Sequence, residues 1–155
     1  MTAEPALSLT THDDPPAELC RVVDAGLGEA NDKAAPLDDV RPLATFARLA
    51  SGEVVGGAIG RTWGSCCELQ QLWVHADHRR RGLGARLLQA FEARAQARGC
   101  QTFYLETFSF QAPAFYRSQG YEVALELAGF APGIVKYTML RRAGHIVSAA
   151  PTSPA

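Results

Sequence analysis

The sequence predicts an α+β (mixed α/β) domain, and three observations carry that reading. Apolar residues recur at helical spacing in two separate stretches. Short alternating stretches bounded by glycine turns lie between and after them. The chain has 155 residues, enough for one domain and too few for two of ordinary size.

Residues 1–13 read as a loose tail. Asp14-Pro15-Pro16 then starts a helix, with Asp14 as cap and proline in the first turn. Leu19, Val22, Val23 and Leu27 follow at helical spacing, and Gly26 and Gly28 mark its end. Asn31 to Arg41 is acidic and irregular, with room for one short helical turn. Leu43–Ala50, Glu53–Trp63 and Cys66–Val74 read as three strands of an antiparallel meander, joined at Ser51-Gly52 and Gly64-Ser65. Gly56-Gly57 inside the second strand signals a bulge or a close backbone approach. Leu83, Leu87, Leu88, Phe91 and Ala95 predict a helix that Gly99 ends. Gln101–Thr107 is strand-like, Pro113 to about Gln119 a short helix, and Tyr121–Leu127 and Ile134–Leu140 two closing strands around Gly129–Gly133. The strand–helix–strand unit from Cys66 to Thr107 predicts a parallel crossover. Residues 143–155, rich in Ala, Ser and Pro, read as a second tail.

Composition excludes several classes. No apolar run approaches the roughly 20 residues a membrane span needs, and the N-terminus lacks the basic start and apolar centre of a secretory signal, so a cytoplasmic location and no membrane partner are expected. Cys20, Cys66, Cys67 and Cys100 form no C-x-x-C pair and are expected to be reduced thiols, half or fully buried. His75 and His78 stand without further ligands, and no metal is expected. The net charge of −1 argues against nucleic acid as a partner. Charge is nevertheless uneven. Residues 1–40 hold nine acids against Arg21 and Lys33, a net of −7, and residues 78–100 hold six arginines against Glu92, a net of +5.

The basic segment opens with Arg79-Arg80-Arg81-Gly82-Leu83-Gly84, between a strand and an amphipathic helix. Glycines there let amide N–H groups turn outward, and the helix N-terminus adds about half a positive charge. With three arginines this is a pyrophosphate cradle. The dinucleotide fingerprint does not fit, because its third glycine position is Leu87, and no G-x-x-x-x-G-K-[ST] run exists. What remains is R-x-x-G-x-G on Arg79, Gly82 and Gly84.

That pattern resembles the [QR]-x-x-G-x-[GA] signature of the GNAT superfamily of N-acetyltransferases. Leu72-Trp73-Val74 resembles the strand end before the family's loop, and Ala112-x-x-Phe115-Tyr116-x-x-x-Gly120-Tyr121 resembles its second landmark. The resemblance covers about residues 17–142 of a single domain spanning 1–155. It implies a GNAT-like fold: a central, mostly antiparallel twisted sheet with one parallel, splayed strand pair and flanking helices. It implies acetyl-CoA as co-substrate and no metal. It also implies direct transfer of the acetyl group to a primary amine in a ternary complex. A non-catalytic module that senses acyl-CoA is the alternative.

The resemblance assigns roles residue by residue. The pyrophosphate would rest on Arg79, Arg80, Arg81, Gly82, Leu83, Gly84 and Ala85. The pantetheine arm would pair with Leu72, Trp73 and Val74, with the Val74 amide as oxyanion donor. Ala112, Phe115 and Tyr116 would complete the cofactor site, with Tyr116 also the general acid toward the leaving thiolate. Ser109 stands where many relatives carry Asn, and a cofactor contact is carried over to it. Glu68, eleven residues before Arg79, matches the general base of some members, and Glu106 on the following strand is the reserve. Strict alternation from Cys66 to Val74 would put Glu68, Gln70, Leu72 and Val74 on one face.

The acceptor follows from charge alone. Asp24, Glu29, Asp32, Asp38 and Asp39 would form an acidic rim attracting a cationic small-molecule amine. A peptide amine stays open, as do the exact base, the size of the acyl group and the homodimer that is common in the superfamily.

Overall fold

The computed structural model describes residues 7–144, so the outer parts of both expected tails, 1–6 and 145–155, lie outside the described residues. The chain divides into two compact units, one reaching Leu37 and one beginning at Asp38.

The first unit contains helix α1, Ala17–Ala34. Asp14 is not its cap. The helix starts on Pro16, whose carbonyl accepts from the N–H groups of Leu19 and Cys20, and no side chain caps it. Nor do Gly26 and Gly28 end it. A glycine inside a helix costs about 1 kcal/mol relative to alanine. The Ala, Leu, Glu and Lys residues around them are good helix formers, and a Glu29–Lys33 pair at 2.6 Å spans the last turn. Residues 7–13 adopt no helix or strand.

A 3-10 turn, Leu37–Asp39, falls at the division between the units. The second unit then builds a six-stranded sheet from β1 (Arg41–Arg48), β2 (Val54–Trp63), β3 (Cys66–Val74), β4 (Thr102–Phe108), β5 (Glu122–Ala128) and β6 (Val135–Arg142). The spatial order is β1-β2-β3-β4-β6-β5. Every neighbouring pair is antiparallel except β3 and β4, as the crossover predicts. Helix α2 (Leu83–Ala97) links those two strands, and α3 (Pro113–Ser118) follows β4. The core lies between α2 and one sheet face, where Leu88, Phe91, Phe103, Leu105 and Met139 are fully buried. Each such side chain contributes about 2 kcal/mol of apolar burial. No helix among the described residues is long and apolar enough to cross a membrane.

Close approach explains the glycines of β2. A Cβ on Gly56 would meet Leu87 Cδ1 at 2.9 Å, and one on Gly57 would meet Phe46 Cδ1 at 2.9 Å. The bulge lies three residues further on. Gly60 pairs with Leu69 while Ile59 pairs with Gln71, so one extra residue of β3 is inserted.

Two further features fix α2. Arg98, just past its end, donates through Nη1 to the carbonyls of Arg41 and Pro42 and to the Thr62 hydroxyl. Midway along, Glu92 accepts the Tyr121 phenol at 2.5 Å and the Arg141 guanidinium at 2.6 Å. The Arg141 guanidinium also lies 4.7 Å from the Phe103 ring centroid.

The thiols divide differently from expectation. Cys67 and Cys100 are buried, but Cys20 and Cys66 are exposed. Cys66 starts β3 on the sheet face turned away from the core, opposite the buried Cys67. Burial pushes the Cys67 thiol up to about 12.

Candidate active site: a cleft and a wedge that share Tyr116

Strands β3 and β4 pair only as far as Leu69 and Leu105. Beyond that point β4 pairs with β6 and β3 with β2, so a wedge opens between the two parallel strands. Backbone direction decides what points into it. Successive N–H groups of a strand face opposite sides. The His75 N–H bonds the Val55 carbonyl of β2 at 2.8 Å, so the Val74 N–H points the other way, into the wedge.

On the α2 side lies a cleft of about 350 Å³. Leu72 and Val74 form one wall, Arg79, Arg80 and Gly82 to Ala85 the floor, and Ala112, Phe115 and Tyr116 the other wall. Two residues of its loop have left-handed backbones, Arg80 at φ 58° and Gly82 at φ 74°. Such residues turn successive amides toward one concavity, a recurring anion site. Gly82 is also the N-cap of α2, so the helix dipole points at the same place. Arg79 Nε donates to the Val74 carbonyl at 2.9 Å, tying the loop back to the strand. Gly84 faces Phe115 and Val74, and a Cβ there would meet them only at ordinary contact distance, 3.6 and 3.8 Å.

On the wedge side lies a second opening of about 350 Å³, bounded by Gln70 to Trp73 of β3, Glu106 and Thr107 of β4, and Gln111, Ala112 and Tyr116. Leu72, Ala112 and Tyr116 line both openings. The two spaces therefore share a partition to which Tyr116 belongs. Burial pushes the Tyr116 phenol up to about 12.

Not every expected residue joins them. Trp73 lines the wedge rather than the cleft, and Arg81 and Ser109 line neither. The Ser109 hydroxyl donates to the Gly133 carbonyl at 3.3 Å and accepts from the Val135 N–H at 3.1 Å. It fastens the loop after β4 to the β5–β6 turn. Glu68 lies in a third depression of about 440 Å³ with Val40, Arg61, Trp63, Cys66 and Tyr104. Its carboxylate accepts from Arg61 Nε at 2.6 Å and more weakly from Gln70. The bulge is the cause. The inserted residue puts Glu68 across from Arg61 and Leu72 across from Ala58, on opposite faces, and the strict alternation expected along β3 fails. Glu106 stands in the wedge instead, its carboxylate 2.5 Å from Lys136 Nζ. Gln111 was not anticipated. Its side-chain oxygen accepts from the Phe108 N–H at 2.8 Å while the residue lines the wedge, and no sequence motif distinguishes it. Asp38 and Asp39 line none of these three openings, and Asp39 accepts from the Gly64 N–H.

The chain belongs to the acetyltransferase (GNAT) family, whose profile matches residues 15–121. It is an N-acetyltransferase. Over 110 residues it is 37% identical to a blasticidin-S acetyltransferase of Streptomyces morookaense, covering 68% of this chain and 81% of that protein. The fold superposes on an acetyltransferase from Bacillus cereus ATCC 14579 with a TM-score of 0.74 at 22% identity, covering 86% of this chain and 97% of the other. It also superposes on the PaiA N-acetyltransferase of Thermoplasma acidophilum in complex with coenzyme A, with a TM-score of 0.56 at 18% identity over 66% and 61% of the two chains.

Proposed function

We propose that this enzyme moves the acetyl group of acetyl-CoA directly to the primary amine of a cationic small molecule, both substrates being bound at once. The observation that carries the reading is that the two openings are lined in common by Leu72, Ala112 and Tyr116. A donor held in the cleft and an amine entering through the wedge would meet there with no covalent enzyme intermediate.

The residues fit a pyrophosphate-bearing donor. Arg79 and Arg80, the left-handed turn at Arg80 and Gly82, and the start of α2 all place positive potential on one concavity. The thioester supplies the activated acyl carbon. The Val74 N–H donates to the oxygen that becomes negative as the amine nitrogen bonds to that carbon. The C–S bond then breaks. Tyr116 gives its proton to the leaving sulfur, and the proton released by the amine goes to a base. Glu106 is the better placed base, because it shares the wedge with Tyr116. Glu68, in its own depression, would have to act through water.

Two observations support a cationic acceptor. One is Glu106, which lines the wedge and would exchange its Lys136 partner for the charged amine. The other is the similarity to an enzyme named for acetylating blasticidin S, itself included in the panel below.

Calorimetry with acetyl-CoA and with CoA, followed by thiol release over an amine panel that includes blasticidin S, tests the reading. Micromolar binding that is lost in Gly82→Glu, with turnover of at least one amine, is the expected result. Binding without turnover of any amine would favour the sensing module. No binding at millimolar CoA would overturn the reading.

A further inference from the structure

Glu106 and Gln111 of the wedge both border a second feature of this face. Two residues on from Glu106 along the same face of β4, about 7 Å away, Phe108 begins a cluster of three aromatic rings. Phe110 stacks on Phe108 with centroids 5.3 Å apart and planes 10° from parallel. Phe130, from the β5–β6 turn, meets Phe108 edge-on at 5.3 Å. Phe110 is 67% exposed and Phe130 49%.

Exposed phenylalanines on a loose loop would have little meaning, but these are held. The Phe108 N–H is bonded to Gln111, and the Ser109 N–H to the Val135 carbonyl at 2.8 Å. The Ser109 hydroxyl bridges Gly133 and Val135. The loop carrying Phe110 and the turn carrying Phe130 are thus tied together, so the backbone that presents the rings is held. Rigid aromatic faces next to an opening receive flat apolar groups at low entropic cost. Gln111 joins the two features, holding Phe108 from a position that itself lines the wedge.

We infer that Phe108, Phe110 and Phe130 form a seat for an aromatic or heteroaromatic ring of the acceptor. The substrate class is then a flat ring joined by a short spacer to the amine that is acetylated. This rests on the reading that the acceptor enters through the wedge.

The test compares 4-phenylbutylamine with butylamine as acceptors, by initial rates of thiol release. The wild type is expected to prefer the ring-bearing amine by about tenfold or more in kcat/KM. Phe110→Ala and Phe130→Ala should each collapse that ratio toward one, through KM rather than kcat. Phe46→Ala, an exposed phenylalanine on the far edge of the sheet, should leave the ratio as it is. Equal use of the two amines by the wild type would overturn the seat while leaving the acetyltransferase reading intact. So would an equal loss on both amines in the Phe110 and Phe130 variants. A dimer on size exclusion that Phe110→Ala dissociates would overturn it in favour of a second copy of this chain. Intact acetyl-CoA binding with neither amine acetylated would overturn both the wedge entry and the seat.

Discussion

Gly60 lies so close to the backbone of Glu68 that a methyl group on its Cα would sit 1.9 Å from the Glu68 carbonyl oxygen. The contact occurs at the bulge where β3 gains its extra residue, and the bulge decides which face each β3 side chain takes. Since the obstacle is backbone, no rotamer change relieves it. Gly60→Ala is expected to destabilise the protein by about 2–4 kcal/mol through strand displacement. Urea unfolding checks this. Gly64→Ala in the adjoining turn, where nothing lies within 4 Å, should cost only the left-handed strain of about 1 kcal/mol.

Tyr116 is expected to act as an acid whose protonation is not limiting. Its ordinary value is 10, and burial raises it to about 12. The phenol stays neutral throughout the working range. Tyr116→Phe should lower kcat about 10- to 100-fold, with the acetyl-CoA Kd changed less than threefold. The wild-type rate should show no loss assignable to this group below pH 10. Full turnover in the variant would remove the role.

Glu106 and Glu68 can be told apart by neutral replacements. Glu106→Gln is expected to lower kcat about 100-fold at pH 7, and less at a pH where the acceptor amine is already neutral. Glu68→Gln should cost less than about fivefold. Its main effect is to leave Arg61 without its partner, a half-exposed pair worth about 1 kcal/mol or less. The reverse ranking would return the base to Glu68.

Alkali should weaken the fold in a defined window. Burial holds Tyr116 at about 12 against an ordinary 10, and Cys67 at about 12 against 9. The unfolded chain releases these protons first. Stability from them is therefore complete below pH 9, declines as pH rises from 9 to 12, and is lost above the folded values. Tyr116 accounts for about 2 kcal/mol of that decline. Urea midpoints across pH 8–11 should fall progressively, and less steeply in Tyr116→Phe.

Arg80 is a non-glycine residue with a positive φ, 58°, in the floor of the cleft. A left-handed backbone costs such a residue about 1 kcal/mol. Asparagine tolerates that conformation better but carries no charge. Arg80→Asn is expected to hold or raise stability by up to about 1 kcal/mol while weakening acetyl-CoA about tenfold. Thermal melts and calorimetry on one preparation would show the two effects moving in opposite directions.

Much of this architecture was legible because its signals are local. Two motifs, R-x-x-G-x-G and A-x-x-F-Y-x-x-x-G-Y, each sit within one strand–loop–helix passage, and the meander strands are separated by Gly52 and Gly64, both with positive φ. What escaped depends on contacts between distant residues. The bulge at Gly60 arises from β2 meeting β3, and no composition rule places it, so Glu68 was assigned to the face of Leu72. Ser109 reads as a shortened Asn only until Gly133 and Val135 arrive from another hairpin and use its hydroxyl. The two glycines of α1 failed as stops because helix propensity sums over a window, and the flanking residues outweigh them.

The Glu92 knot has a mechanical consequence. Ten residues, about 15 Å along a stiff helix, separate Glu92 from Gly82 at the loop. Tyr121 and Arg141 grip the helix there from the end of α3 and from β6. Loop, helix and the closing half of the sheet are thereby yoked into one rigid piece. Beyond Leu69 the end of β3 is held from one side only, by β2, so whatever give the site has lies along that singly flanked stretch rather than in the cradle.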